Sequence, residues 1–190
     1  MRGYFGIGVE GISKPLNVAT LLRTAHAFGA SFAFTVAAAY PQLRAAKVDT
    51  SDAPGHVPFY SFPDVASMVL PTGCQLVGIE ITEGAIELPS FHHPTQAAYV
   101  LGPERGALTP AMTARCNFLV HIPTRFSINL GLAGAIVMYD RMITMGRFAP
   151  RALSPGPPVE ARPGHRFGEP RFRTMTCFRA APPVVPERKR

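Results

Sequence analysis

Residues 99–109 read YVLGPERGALT. An apolar strand ending at Leu101 runs directly into Gly-Pro-Glu-Arg-Gly, and Thr109 then caps a helix reaching about Arg115. Gly102 lets the backbone approach a ligand closely, and Pro103 fixes the turn. Glu104 follows at the carboxyl end of a strand, where open α/β sheets hold their ligands. Taken alone, the segment also fits an ordinary strand–loop–helix turn with a solvated glutamate. What it decides is the fold class, because the same alternation recurs on both sides of it.

Toward the N-terminus, strands are expected at Tyr4–Val9, Ser31–Ala37 and Gln75–Ile81, with helices at Pro15–Phe28 and Pro63–Leu70. Pro15 is a good first helical residue, Ser13 is a possible cap, and Gly29 is the stop. Val18, Leu21, Leu22, Ala25 and Phe28 form the buried stripe of the first helix. Residues 40–60 read as an irregular loop carrying Asp49, Asp52 and His56. Toward the C-terminus, Phe118–Ile122 is a strand and Leu130–Met145 a helix rich in small residues. Strands alternating with helices predict an α/β fold, a parallel sheet flanked by helices.

Composition sets the outer limits. At 190 residues and 47% hydrophobic, the chain has a core to bury, and it has no apolar run long enough to span a membrane. Cys74, Cys116 and Cys177 have neither disulfide nor zinc spacing, which fits a reducing cytoplasm and no metal site. Cys74 and Cys116 read as small apolar residues of the core. The net charge of +7 is unevenly placed: residues 151–190 hold nine Lys/Arg against three Asp/Glu, a net of +6. Eight of the twenty prolines also follow residue 150. The chain therefore divides into a domain over 1–150 and a flexible basic Pro/Arg-rich tail over 151–190, which either touches the phosphates of an anionic partner or is merely solvated.

Gly6–Gly11 spells G-x-G-x-x-G, the dinucleotide-binding fingerprint. That reading needs a helix opening inside the motif and an acid about twenty residues on. Pro15 places the helix late, and the first acid beyond the motif is Asp49. The match is accidental, and its expected role is a permissive turn leaving the first strand.

Two further segments carry polar residues at telling places. In KPLNVATLLRTAHAFG, Asn17 lies in the first helical turn and Arg23 one and a half turns later, so both are candidates to border one site. Arg23, among apolar neighbours, is expected to be half-buried and to need an anionic partner or a cluster of carbonyls; a structural ion pair, for example with Asp140, explains it as well. In HIPTRFSINLGLAGAIVMYD, a strand ends at Ile122-Pro123, and Ser127 and Asn129 sit where a helix begins. Free N–H groups there favour an anion, and either side chain could cap the helix.

These segments, N-x5-R with A-F-G, then L-G-x-E, then I-P with S-x-N, resemble in order the three motifs of the SpoU/TrmH branch of the SPOUT methyltransferases. The resemblance covers residues 4–147. It implies a SPOUT fold with a C-terminal deep trefoil knot, a homodimer, and S-adenosylmethionine as methyl donor to a ribose 2′-hydroxyl of tRNA or rRNA. It further implies Arg23, Asn17, Glu104, Ser127 and Asn129 as catalytic residues, and Glu80, Gly102, Ile122, Ser127 and Leu130 as cofactor-binding residues. Arg23 is expected to stabilise developing negative charge on the ribose oxygen, since a guanidinium is a poor base. Arg105 and the Thr124-Arg125-Phe126 stretch depart from the common pattern, which bears on substrate identity. The competing reading is a non-catalytic RNA-binding SPOUT-like protein with a degenerate pocket.

Overall fold

Buried runs such as Tyr4–Glu10, with six of its seven residues buried and only its last one charged, are what a strand covered on both faces requires. The computed structural model, which describes residues 3–39, 53–146, 148–149 and 151–158, arranges such runs into one wholly parallel sheet. Its strands are β1 (Tyr4–Glu10), β2 (Phe32–Val36), β3 (Phe59–Phe62), β4 (Gln75–Ile79), β5 (Ile86–Glu87), β6 (Gln96–Leu101) and β7 (Phe118–His121). Their spatial order is β3-β2-β1-β6-β4-β7-β5. The helices are α1 (Pro15–Ala27), α2 (Ala53–His56), α3 (Pro110–Arg115) and α4 (Leu130–Met145). The parallel sheet flanked by helices is as expected.

Two apolar layers form on the two faces. On one, Ile7, Val9, Tyr99 and Leu101 meet Leu21 and Leu22 of α1 and Val137 and Met138 of α4. On the other, Phe32, Phe34, Ala98 and Val100 meet Met112 of α3 and Met68. Cys74 and Cys116 pack, partly buried, against this second layer, as small apolar residues do. Burial pushes the Cys116 thiol up to about 11, away from reactivity. Cys177 lies outside the described residues.

The glycine pattern of β1 has a packing cause. A Cβ on Gly6 would lie 2.2 Å from the Phe32 ring, and one on Gly8 would lie 2.5 Å from the Phe34 ring. Those two glycines make room for aromatic rings crossing β1 from β2. Only Gly11, at φ +63°, serves as the turn expected of the motif. Glycines also set the approach of α4 to α1: a Cβ on Gly134 would lie 2.4 Å from Leu21 Cδ1. The small residues of α4 thus have a role inside the subunit, and its outward face carries Leu132, Ile136 and Tyr139, all exposed.

Three local expectations are corrected. The described part of the expected 40–60 loop is not irregular throughout: Ala53–His56 is α2 and Phe59 opens the edge strand β3 (Phe59–Phe62), while Asp49 and Asp52 lie outside the described residues. Pro63–Leu70 is not a helix but a turn. Ser67 N–H donates to Asp64 Oδ1 at 2.7 Å, and the Arg115 guanidinium takes the carbonyls of Val65 and Met68, so no further helical turn is needed to satisfy them. Finally, Ser13 does not cap α1. Lys14 occupies that position without a side-chain bond, and Ser13 is engaged elsewhere.

The chain divides into two units, residues 1–148 and 149–190. Of the second unit, residues 151–158 are mostly exposed, and the rest of the expected tail lies outside the described residues.

Candidate active site

Parallel strands deliver their carboxyl ends to one edge of the sheet, and β6, β4 and β7 are neighbours in two successive pairings. The loops leaving them enclose a cleft of about 550 Å³. Ile79–Ile81, Leu101–Gly106, His121–Ile122 and Ser127–Leu130 line it, and Lys14 and Asn17 close it from the start of α1. The segments singled out in the sequence therefore meet at one place.

Glu104 holds them together. Its Oε2 accepts from Ser13 N–H at 3.2 Å and the Ser13 hydroxyl at 3.1 Å; its Oε1 accepts from Lys14 N–H and Asn17 Nδ2, both at 3.0 Å. Burial pushes the Glu104 carboxyl up, but bonds from its own backbone and from Ser13, Asn17 and Lys14 outweigh it, and the net displacement is downward. Asn17 passes the connection on, its Oδ1 accepting from Asn129 Nδ2 at 3.3 Å. Asn129 in turn caps α4, its Oδ1 accepting from Gly131 N–H at 2.9 Å and Leu132 N–H at 3.4 Å. Asn129, rather than Ser127, is thus the cap, and Ser127 stands exposed on the cleft wall.

Glu80 does similar work across the cleft. Its Oε2 accepts from Leu108 N–H at 2.7 Å and its Oε1 from Ile81 N–H at 3.0 Å, joining the loop after β4 to the end of the Gly102–Ala107 loop. Gly102 lies against this bond. A Cβ there would sit 3.2 Å from Glu80 Oε2 and 3.3 Å from Leu108 N. A side chain there would press on the loop-to-loop bridge itself, a constraint separate from the approach of a ligand. Sequence reasoning missed a third carboxylate: buried Glu10, ending β1, accepts from Thr109 N–H at 2.9 Å and Thr109 Oγ1 at 2.6 Å. An acid at the end of a strand whose helix starts late was its only sequence signal.

Every residue expected to hold the cofactor (Glu80, Gly102, Ile122, Ser127, Leu130) lines the cleft, as do Asn17, Glu104 and Asn129. Arg23 does not line it. It is exposed rather than half-buried, on the side of α1 that also exposes Leu16 and Thr20. Asp140, suggested as its partner, bonds the buried His93 Nε2 at 2.9 Å.

A wholly parallel sheet with a polar-braced cleft beyond its strand ends defines a ligand-binding α/β protein of the open-sheet type. The profile of the SpoU rRNA Methylase family matches residues 5–139, and the chain belongs to that family. No curated protein matches it. Among solved structures, the chain is similar to the TrmH/SpoU tRNA modifying enzyme of A. aeolicus at 16% identity, TM-score 0.67, covering 74% of each chain. It is similar to an AdoMet-bound rRNA methyltransferase of Sinorhizobium meliloti at 20% identity and TM-score 0.66, covering 77% of this chain and 59% of that one. The SpoU methyltransferase AviRb of Streptomyces viridochromogenes, in complex with AdoMet, aligns at 21% identity and TM-score 0.64, over 77% of this chain and 63% of its own. The chain thus covers about three-fifths of the length of the last two.

Proposed function

We propose that this protein transfers a methyl group from S-adenosylmethionine to a ribose 2′-hydroxyl of tRNA or rRNA, working as a homodimer in the cytoplasm. The observation that carries the reading is the chain Glu104–Asn17–Asn129, which ties the three motif segments around one cleft. The cleft fits the donor. Its volume lies within the roughly 300–1,000 Å³ of small-molecule sites, and it sets apolar Ile79, Leu101, Ile122 and Leu130 beside Asn17, Ser127 and exposed loop backbone. Ile122, Leu130, Gly102 and Ser127 would hold the nucleoside, with Glu80 bracing the loop behind it. The bound donor supplies an already activated methyl group, so the protein's task is alignment. Knotting of the segment after β4 is part of the proposal: β6 lies between β1 and β4, while β7 lies on the other side of β4.

Arg23 would stabilise charge on the ribose oxygen as its proton leaves. Because Arg23 lies off its own cleft, the cleft it would serve is that of a partner protomer. Three measurements test the reading together. The wild type should bind radiolabelled S-adenosylmethionine and 2′-O-methylate RNA from a strain lacking the gene. Arg23→Ala and Arg23→Lys should keep cofactor binding and lose about a hundredfold or more in transfer rate. Gly102→Val should lose the cofactor, and mixed Arg23→Ala and Gly102→Val protomers should regain activity. An Arg23→Ala protein at the wild-type rate would end the role given to Arg23, and a wild type that binds no donor would end the whole proposal.

A further inference from the structure

The cleft holds the reacting atoms, but a ribose that enters it brings a base and two flanking phosphates that must rest outside. The rim is built for both. Phe126, in the loop between Ile122 and α4, is 77% exposed, more than any other Phe or Tyr among the described residues of the first unit. It is not on a floppy tether: Thr124 Oγ1 donates to Phe126 O at 2.9 Å, and Thr124 N–H donates to Ile122 O at 2.7 Å, closing a tight turn on the cleft wall. Arg125 precedes it and is exposed, and Arg105 and Lys14, both exposed, line the cleft from its other loops. The two carboxylates of the cleft do not cancel these charges by pairing with them, since Glu80 and Glu104 accept from backbone N–H groups, the Ser13 hydroxyl and Asn17. Exposed cations around an exposed aromatic ring are the elements of a site for single-stranded nucleic acid, a stacking platform within a phosphate-attracting rim.

We propose that Phe126 stacks on an unpaired base of the RNA, while Arg105 and Arg125 contact the phosphates on either side of the ribose presented to the cleft. This rests on the methyl-transfer reading and deepens it: the substrate nucleotide is unpaired and splayed out when methylated. Stacking is tolerant of base identity, so the rim selects an unpaired nucleotide rather than a particular sequence, and Arg105 and Arg125 supply the salt-dependent share of binding.

The chain contains no tryptophan, so Phe126→Trp places a single reporter at the proposed platform. A short oligouridylate should quench its fluorescence on binding, and an oligomer of the same length lacking bases should bind more weakly without quenching. Phe126→Ala should weaken oligouridylate binding, read by anisotropy, about tenfold, a typical loss for one stacked base. Arg105→Gln and Arg125→Gln should each lower affinity for both oligomers and flatten the salt dependence. Oligouridylate that binds without quenching the Phe126→Trp protein overturns the stacking contact. So does a Phe126→Ala protein that sediments as monomer where the wild type is dimer, because the ring then belongs to a contact between two copies. Failure of the methyl-transfer reading looks different: the wild type would then bind no radiolabelled S-adenosylmethionine, whatever the oligomers do.

Discussion

Glu104 shows how much one side chain can organise. Four donors from Ser13, Lys14 and Asn17 converge on its two oxygens, so it fixes where α1 begins relative to the strand-end loops. Glu104→Gln keeps the shape but replaces one acceptor oxygen with an amide N–H₂ that faces donors, and hydrogen bonds to a charged acceptor are the stronger kind. Cofactor affinity should fall about tenfold in calorimetry, with circular dichroism unchanged; equal affinity would show that the brace is dispensable. The pH dependence has a definite sign. The folded carboxyl sits below its ordinary 4.5, so its stabilising contribution is present above that value and is lost as pH falls through the lower folded one. Thermal melts of wild type and Glu104→Gln should therefore converge at acid pH. At this scale the sequence brought Asn17, Gly102, Glu104, Ser127 and Asn129 to notice because each stands at an element boundary, and all five line one cleft. It was not readable for Arg141. That guanidinium is fully buried and donates to the carbonyls of Pro94, Thr95 and Tyr4 and to the Tyr99 hydroxyl. All four acceptors are distant in sequence, so nothing around Arg141 in the chain announces them.

Among elements, the legible ones were those marked by a buried apolar run or stripe, or by a clear cap. The strands β1, β2, β4 and β6 and the helices α1, α3 and α4 come from long apolar runs or clear caps, such as Thr109 accepting from Met112 N–H at 3.2 Å. The errors fall where partners are remote. Edge strand β3 has only intermediate and exposed residues and exists through its pairing with β2. The 63–70 turn has helix-like content, and the Arg115 contact that ends it lies some fifty residues away. The glycines of β1 belong to the same category, since Phe32 and Phe34 explain them only once β1 and β2 are side by side. Gly8→Ala is the direct test. Its methyl would meet a buried, stiff ring rather than a flexible chain end, so overpacking should cost about 1–3 kcal/mol in denaturant unfolding. A variant as stable as the wild type would mean that the ring can move aside and that the glycine has some other cause.

For the whole molecule, periodicity predicts a parallel sheet but not its strand order, because burial alone cannot say that β6 inserts between β1 and β4. Charge, by contrast, is readable at this scale from the sequence: of the net +7, residues 1–150 carry +1 and residues 151–190 carry +6. If the rim around the cleft supplies the local RNA contacts, the C-terminal segment is the obvious source of the long-range ones. Nine Lys/Arg spread among prolines, with few large apolar residues to bury, suit a phosphate contact that reads no sequence. Removing residues 151–190 should then leave cofactor affinity unchanged, weaken RNA binding, and reduce the slope of log affinity against log salt by close to one unit per lost phosphate contact. The measurement is RNA affinity across a salt series, for the full chain and for one ending at Pro150. Identical slopes would exclude the segment from the RNA and leave Lys14 and Arg105 on the cleft wall, with exposed Arg125 beside Thr124, to account for the electrostatics. A shortened chain that fails to fold would contradict the division near residue 148, since the first unit should hold its core without the second.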